Sequence, residues 1–177
     1  MVVWTGRTAL IELSPASIDD MLALRQHFRS IAEVQRWGGE GFQLPLTKTR
    51  FMAQLQTSDT ESFILQLRQK TLGFGQLCDR FGKHHLARLL VLPDVRGQGY
   101  GKHLIMALLR HGQKINPRLD FSLFVYTSNQ VALSLYQQLG FVECAQPQPH
   151  RDDLYFMTLS AESAKALLAN WNGLGER

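Results

Sequence analysis

The sequence predicts an α/β fold, α+β by some schemes, in which one sheet is covered by helices on both faces. Three observations point there. Residues 85–139 read as strand, helix, strand, helix. Both strands of that unit are mostly apolar on either face, as strands covered on two sides are. Both helices carry a single apolar stripe that needs a sheet to rest on. At 177 residues and 20.1 kDa, with 45% hydrophobic and 19% charged residues, the chain fits one domain, residues 1–177, whose core needs no disulfide or metal staple.

Taken in chain order, apolar periodicity predicts a first strand over Thr8–Leu13. Ser14-Pro15 ends it, and a helix runs from about Ser17 to Phe28 with Ser17 as N-cap. Gly38-Gly39-Glu40-Gly41 and Pro45 mark a loop, followed by a second helix near Thr47–Gln56. Phe63-Ile64-Leu65 and Leu72–Leu77 read as paired strands. Next come a strand over His85–Leu92, a glycine-rich turn, a helix over Tyr100–Lys114, a strand over Leu119–Thr127 and a helix over Gln130–Leu139 stopped by Gly140. Gly101, Leu104, Ile105, Leu108 and Leu109 share one face of the first of these helices, and Ala132, Leu135, Tyr136 and Leu139 one face of the second. A right-handed crossover makes the two strands parallel and central. Phe141–Cys144 and Leu154–Leu159 read as a closing hairpin, and Ala161, Ala164, Leu167, Leu168 and Trp171 trace a terminal helix at about 160–172.

Nineteen Lys and Arg against fifteen Asp and Glu leave a net charge of +4, which suits an anionic ligand and most ordinary surfaces alike. No basic stripe or stacking-aromatic motif accompanies it, so nucleic-acid binding is discounted. Cys78 and Cys144 provide neither a disulfide framework nor a metal-ligand spacing, so no metal is expected and a reducing cytoplasm is the expected compartment. No run reaches the roughly 18 apolar residues of a membrane span, so no membrane partner is expected.

The strand at 85–92 runs into Val91-Leu92-Pro93-Asp94-Val95-Arg96-Gly97-Gln98-Gly99-Tyr100-Gly101-Lys102. Successive N–H groups at a helix start form an anion cradle, and glycines let phosphate oxygens approach without a Cβ in the way. A Walker A loop ending at Gly101-Lys102 would need glycine at Arg96 and Ser or Thr at His103, and has neither. The dinucleotide pattern G-x-G-x-x-G meets Lys102 or Leu104 where its third glycine belongs. A glycine-softened turn without a ligand is the plain alternative.

What fits is Arg/Gln-x-x-Gly-x-Gly/Ala, met as Arg96, Gly99 and Gly101 behind Val-x-Pro and ahead of an amphipathic helix. Downstream stands Asn129-x-x-Ala132-x-x-x-Tyr136, closing with Leu139-Gly140-Phe141-Val142. Together these resemble the GNAT superfamily of N-acetyltransferases, clearly over residues 84–159 and only in topology before that. The resemblance implies the GNAT fold, a mixed and mostly antiparallel central sheet of about seven strands with a central parallel pair, flanked by helices on both faces. It implies acetyl-CoA as co-substrate, its pyrophosphate held at Arg96, Gly97, Gln98, Gly99, Tyr100, Gly101 and Lys102. It places Asn129 on the pantetheine arm and the Tyr136 hydroxyl near the CoA sulfur. For the oxyanion it implies a backbone N–H among Leu90, Val91 and Leu92, where a bulge splays the strand from its parallel neighbour.

The implied reaction is direct attack of a neutral amine on a thioester in a ternary complex. Tyr136 is the candidate acid, since a phenol of pKa about 10 lies just above a thiol of about 8.5. Family members carry Glu or His six positions before the Val of Val-x-Pro, here His85, and histidine suits a base near neutral pH. Glu40, a water chain, or a strand-end histidine with no role are the alternatives. Alternation puts His85, Ala87, Leu89 and Val91 on one face and His84, Leu86, Arg88 and Leu90 on the other. Arg88, a charge in an apolar strand, pairs with a carboxylate such as Asp120 in the simpler reading, or faces the acceptor and favours an acidic group there. Lys102 and Lys114 add charge near the phosphates. Trp37 and Phe42 with Glu40 either seat a cationic amine or anchor their loop. The expected acceptor is a small-molecule or peptide amine, with a homodimer allowed. A non-catalytic acyl-CoA-binding sensor or assembly domain is the alternative.

Overall fold

The computed structural model describes residues 11–171. One seven-stranded sheet runs in the order β1-β2-β3-β4-β5-β7-β6, built from β1 (Ile11–Pro15), β2 (Thr60–Leu67), β3 (Lys70–Arg80), β4 (Lys83–Val91), β5 (Phe121–Tyr126), β6 (Val142–Cys144) and β7 (Leu154–Leu159). Every neighbouring pair is antiparallel except β4 and β5, as the crossover through a helix requires. The open, mixed sheet with one parallel pair is the predicted architecture. Residues 8–10 of the first predicted strand and residue 172 of the terminal helix lie outside the described residues, and β1 instead reaches forward to Pro15, opposite Phe63.

One face of the sheet is covered by α4 (Tyr100–Ile115), α5 (Gln130–Gln138) and α6 (Ala161–Ala169). Leu104, Ile105, Leu108 and Leu109 of α4 are buried there against Leu86, Phe121 and Leu123. Each such side chain contributes about 1.5–3 kcal/mol. The other face is covered by α1 (Ile18–Ala23), α2 (Ile31–Gly38) and α3 (Lys48–Leu55), which bury Met21, Val34, Phe51 and Leu55 against Ile64, Phe74 and Leu90. Ser17 caps α1 in a reciprocal box with Asp20. The predicted helix to Phe28 is shorter than expected, because α1 tightens into a 3-10 turn over Leu24–His27.

Helix α2 replaces what reads in sequence as loop. Its signal is Ser30 with Glu33 three residues on. The Ser30 hydroxyl accepts from the Glu33 N–H, and the Glu33 carboxylate accepts from the Arg29 N–H. This helix matters because its last turn reaches the middle of β4. The Trp37 indole N–H donates to the Arg88 carbonyl at 2.8 Å.

Arg88 has φ +50, in the left-handed region, which a non-glycine residue enters only when its surroundings hold it there. Between Phe74 and Gln76 of β3 the partners on β4 move from Leu90 to Ala87, so β4 carries one extra residue. This is the bulge expected on the strand before the loop. It also overturns the simple alternation along β4. His84 and Leu86 face α4, the bulge then flips the parity, and Leu89 and Val91 join that face. His85, lying opposite Cys78, and Ala87, opposite Gln76, share the other face with Arg88 and Leu90.

Candidate active site

β4 and β5 pair at only three positions, His84 with Phe121, His85 with Ser122 and Leu86 with Leu123. Beyond the bulge the two strands part, and β5 continues alone with β7 to Tyr126. The gap is lined on one side by the end of β4. The Leu92 N–H is taken by the Leu72 carbonyl at 2.9 Å. Leu92 and Leu90 are therefore the hydrogen-bonded partners of β3, and the alternate residue Val91, opposite Gly73, points its N–H away from β3 into the gap. Among Leu90, Val91 and Leu92, Val91 is the one whose N–H is turned away from β3. The Val91 carbonyl accepts from Arg96 Nε at 3.1 Å.

At the mouth of the gap α4 begins. Gly97 and Gly99 have φ +76 and +83, and a Cβ at either would meet nothing within 4 Å. The amides of Gly97, Gln98, Gly99, Tyr100 and Gly101 have no partner among the described residues. They lie at the positive end of a 16-residue helix, with open space beside Gly97 and Gly99. The loop thus fits a diphosphate, with Lys102 in the first turn, its Nζ 4.7 Å from the Trp171 ring centre. Lys114 does not belong to this group. It sits in the last turn of α4, about 18 Å along the axis from Lys102 at about 1.5 Å per residue.

Asn129 caps α5, its Oδ1 accepting from the Ala132 N–H at 3.2 Å, which leaves its amide NH2 for a ligand. Tyr136, about two turns further on the same helix, is 7% exposed and packs on Phe141. Burial pushes its phenol up to about 12, so it stays protonated across any working pH, the state an acid needs.

His85 is 4% exposed. Its Nδ1 lies 2.9 Å from the Ser122 hydroxyl, and Phe81, Phe124 and Phe156 surround the ring. Desolvation, helped by the positive charge of Arg80, brings its pKa down to about 4. Neutral at pH 7, it can accept a proton, but the acidic limb it would impose falls near pH 4 and not near neutrality. The same shift predicts a stability effect. A histidine kept neutral by the fold adds stability in full above its unfolded pKa of about 6.5, lost progressively as pH falls to about 4. Urea titrations should show about 3 kcal/mol more acid destabilisation in the native chain than in His85→Gln, corresponding to about 2.5 pKa units at about 1.4 kcal/mol each.

Arg88 does not meet Asp120. That carboxylate lies 3.4 Å from Lys83 Nζ and accepts from the Ala161 N–H. Arg88 instead crosses to the α2 side, donating from Nη1 to Gln76 Oε1 at 2.7 Å and from Nε to the Gly38 carbonyl at 3.3 Å. Trp37 and Phe42 anchor their loop, and the cation that Phe42 faces is the chain's own Arg88, 5.9 Å from its ring centre. Phe42 is buried, and Trp37 stacks among Phe28, Phe42, Phe51 and Phe74. Glu40, exposed, reaches across to Arg151 in the β6–β7 loop at 3.4 Å. Sequence reasoning missed Gln76 and Ser122. Neither stands in a motif, and both matter only because the sheet brings them beside Arg88 and His85.

A parallel pair that splays at a bulge, with a glycine cradle at the following helix and a buried phenol on the next, defines the class of acyl-CoA-dependent acyltransferase folds. A family model described as the acetyltransferase (GNAT) family matches residues 23–141, and the chain belongs to that family, whose acetyl donor is acetyl-CoA. Among solved structures it is similar to spermidine N-acetyltransferase from Vibrio cholerae in complex with CoA and spermine, at 17% identity and TM-score 0.70, covering 88% of this chain and 98% of that one. It is also similar to the ribosomal-protein-S18-alanine N-acetyltransferase from Escherichia coli, at 23% identity and TM-score 0.63, covering 86% and 94%. At these identities the likeness is one of fold.

Proposed function

We propose that the protein transfers the acetyl group of acetyl-CoA to a primary amine by direct attack within a ternary complex. The observation that carries this is the parting of β4 from β5 beyond Leu86, which aims the Val91 amide into an open gap directly before the glycine cradle. The amides from Gly97 to Gly101, with Arg96 and Lys102, hold the diphosphate. Asn129 donates from its free NH2 to the pantetheine arm. The Val91 N–H polarises the acetyl carbonyl and bears the charge that develops on its oxygen as the amine attacks. Tyr136 donates its proton toward the departing sulfur. His85 or a water chain beginning at the site takes the proton the amine gives up. Amine nitrogen and carbonyl carbon form the new bond, the carbon–sulfur bond breaks, and the protein is left unmodified.

Two measurements test this reading. Acetyl-CoA at about 100 times its dissociation constant should stabilise the fold by about 2.7 kcal/mol, seen as a rise in melting temperature. Free thiol should then appear when a panel of primary amines is added. Stabilisation with no thiol from any amine would instead mark a coenzyme-binding domain without turnover.

A prediction on the supporting structure follows from the Trp37 contact. Trp37→Phe keeps the aromatic packing but leaves the bulge carbonyl of Arg88 without its donor, at a cost of about 1–3 kcal/mol. Chemical denaturation should show that loss. Turnover should fall with little change in acetyl-CoA affinity, because the bulge and not the cradle is released.

A further inference from the structure

We infer that the acceptor amine carries a carboxylate, and that the Arg88 guanidinium receives it. The inference rests on the transferase reading and gives it a substrate class.

Arg88 is a half-buried cation on the sheet face away from the coenzyme helix, at the bulge where β4 and β5 part. Its orientation is built, not adventitious. Gln76 is fully buried, and its Nε2 donates to the Leu55 carbonyl at 2.9 Å and to the Ser62 hydroxyl at 2.8 Å. That fixes Gln76 Oε1 toward Arg88 Nη1. The Gly38 carbonyl holds Nε, and the Phe42 ring lies 5.9 Å from the guanidinium carbon. All of these partners are neutral. No carboxylate lies within 4.0 Å of Arg88 among the described residues, and Nη2 makes no hydrogen bond there.

A guanidinium taken partly out of water without a counter-ion bears a desolvation cost that an arriving carboxylate offsets. Planar, with donors still free, it matches a carboxylate better than any other common anion of this size. The neighbouring charges agree. Arg80 follows Cys78 by two residues on β3 and so shares this face, and its positive charge is felt at both Arg88 and His85. Arg151, at the far lip, is already committed to Asp153 at 2.7 Å and Glu40 at 3.4 Å. Arg88 with Arg80 is therefore an uncompensated positive centre on this face, set apart from the net negative Arg151–Asp153–Glu40 cluster at the lip, and it attracts an anion. Arg88 and Val91 are three positions apart, at most about 10 Å at about 3.3 Å per residue and less across the bulge. The arginine side chain and a compact amino acid together bridge that interval.

The test uses matched pairs of primary amines, each amino acid against its carboxamide, with spermidine and a short peptide with an acidic second residue as further arms. Thiol release is followed in the native chain and in Arg88→Asn and Arg88→Lys. Asparagine tolerates the left-handed backbone at this position, so the bulge survives while the charge is lost. The native chain should favour the carboxylate member of each pair at least tenfold in kcat/KM, the effect of one charge-assisted hydrogen bond. Arg88→Asn should collapse that ratio through KM, and Arg88→Lys should keep part of it. Preference for the acidic peptide over free amino acids assigns the carboxylate to a peptide. A ratio near one in the native chain, preferred turnover of spermidine, or a ratio unchanged in Arg88→Asn overturns the inference and leaves the transferase reading standing. No thiol from any amine while acetyl-CoA still binds overturns both. Should Arg88→Asn fail to fold, the native ratios and Arg88→Lys still decide.

Discussion

Tyr136→Phe is expected to lower kcat about a hundredfold or more, the typical contribution of a positioned general acid, while acetyl-CoA affinity stays within a factor of a few. The substitution removes one oxygen and keeps the ring that packs on Phe141, so the melting temperature should hardly move. Because burial lifts the phenol to about 12, its proton is available throughout the assay range. The native enzyme should then show no basic limb from this group at or below pH 10. A pKa that far above a thiol's makes complete proton transfer in the ground state unfavourable. The donation therefore has to proceed with carbon–sulfur cleavage, as negative charge builds on the leaving sulfur. An unchanged kcat in steady-state assays would remove Tyr136 from the chemistry.

Gly99→Val is expected to weaken acetyl-CoA binding by at least a hundredfold by calorimetry. Gly99 is the N-cap of α4 at φ +83, with open space where a Cβ would stand. Valine places two methyl groups in that space and is strained there by about 1–2 kcal/mol. The fold should survive, since α4 is anchored by Leu104, Ile105, Leu108 and Leu109 on the sheet side. A folded Gly99→Val protein with native affinity would show that the diphosphate lies elsewhere.

Much of this was legible from residue types. The strand–helix–strand–helix run between residues 85 and 139 declares itself because Leu104, Ile105, Leu108 and Leu109 recur at helical spacing between two apolar strands. Arg96, Gly99 and Gly101 declare the cradle by their spacing; Gly97 and Gly99 take the positive φ that favours glycine, and a Cβ on Gly101 would stand 3.3 Å from Leu135 Cδ2. Helix α2 was missed because four closely spaced residues, Gly38-Gly39-Glu40-Gly41, dominate the local signal, and the Ser30–Glu33 cap before them is short. The two faces of β4 were misassigned beyond Ala87, since a period-2 reading has no place for an extra residue. With the faces went Arg88, whose expected partner Asp120 belongs to Lys83.

By itself the sequence determined the order of elements, the core faces of α4 and α5, and the glycines at the mouth of the gap. All of these are set by spacing within one segment. Tertiary structure decided where the bulge falls, because Arg88 holds φ +50 only while Trp37, Gly38 and Gln76, from two distant segments, bind it from the side. It also decided that burial holds the His85 pKa well below its ordinary value and that Arg88 turns to the α2 side of the sheet. Charge state and orientation depend on what surrounds a group in space, and pattern along the chain does not record that.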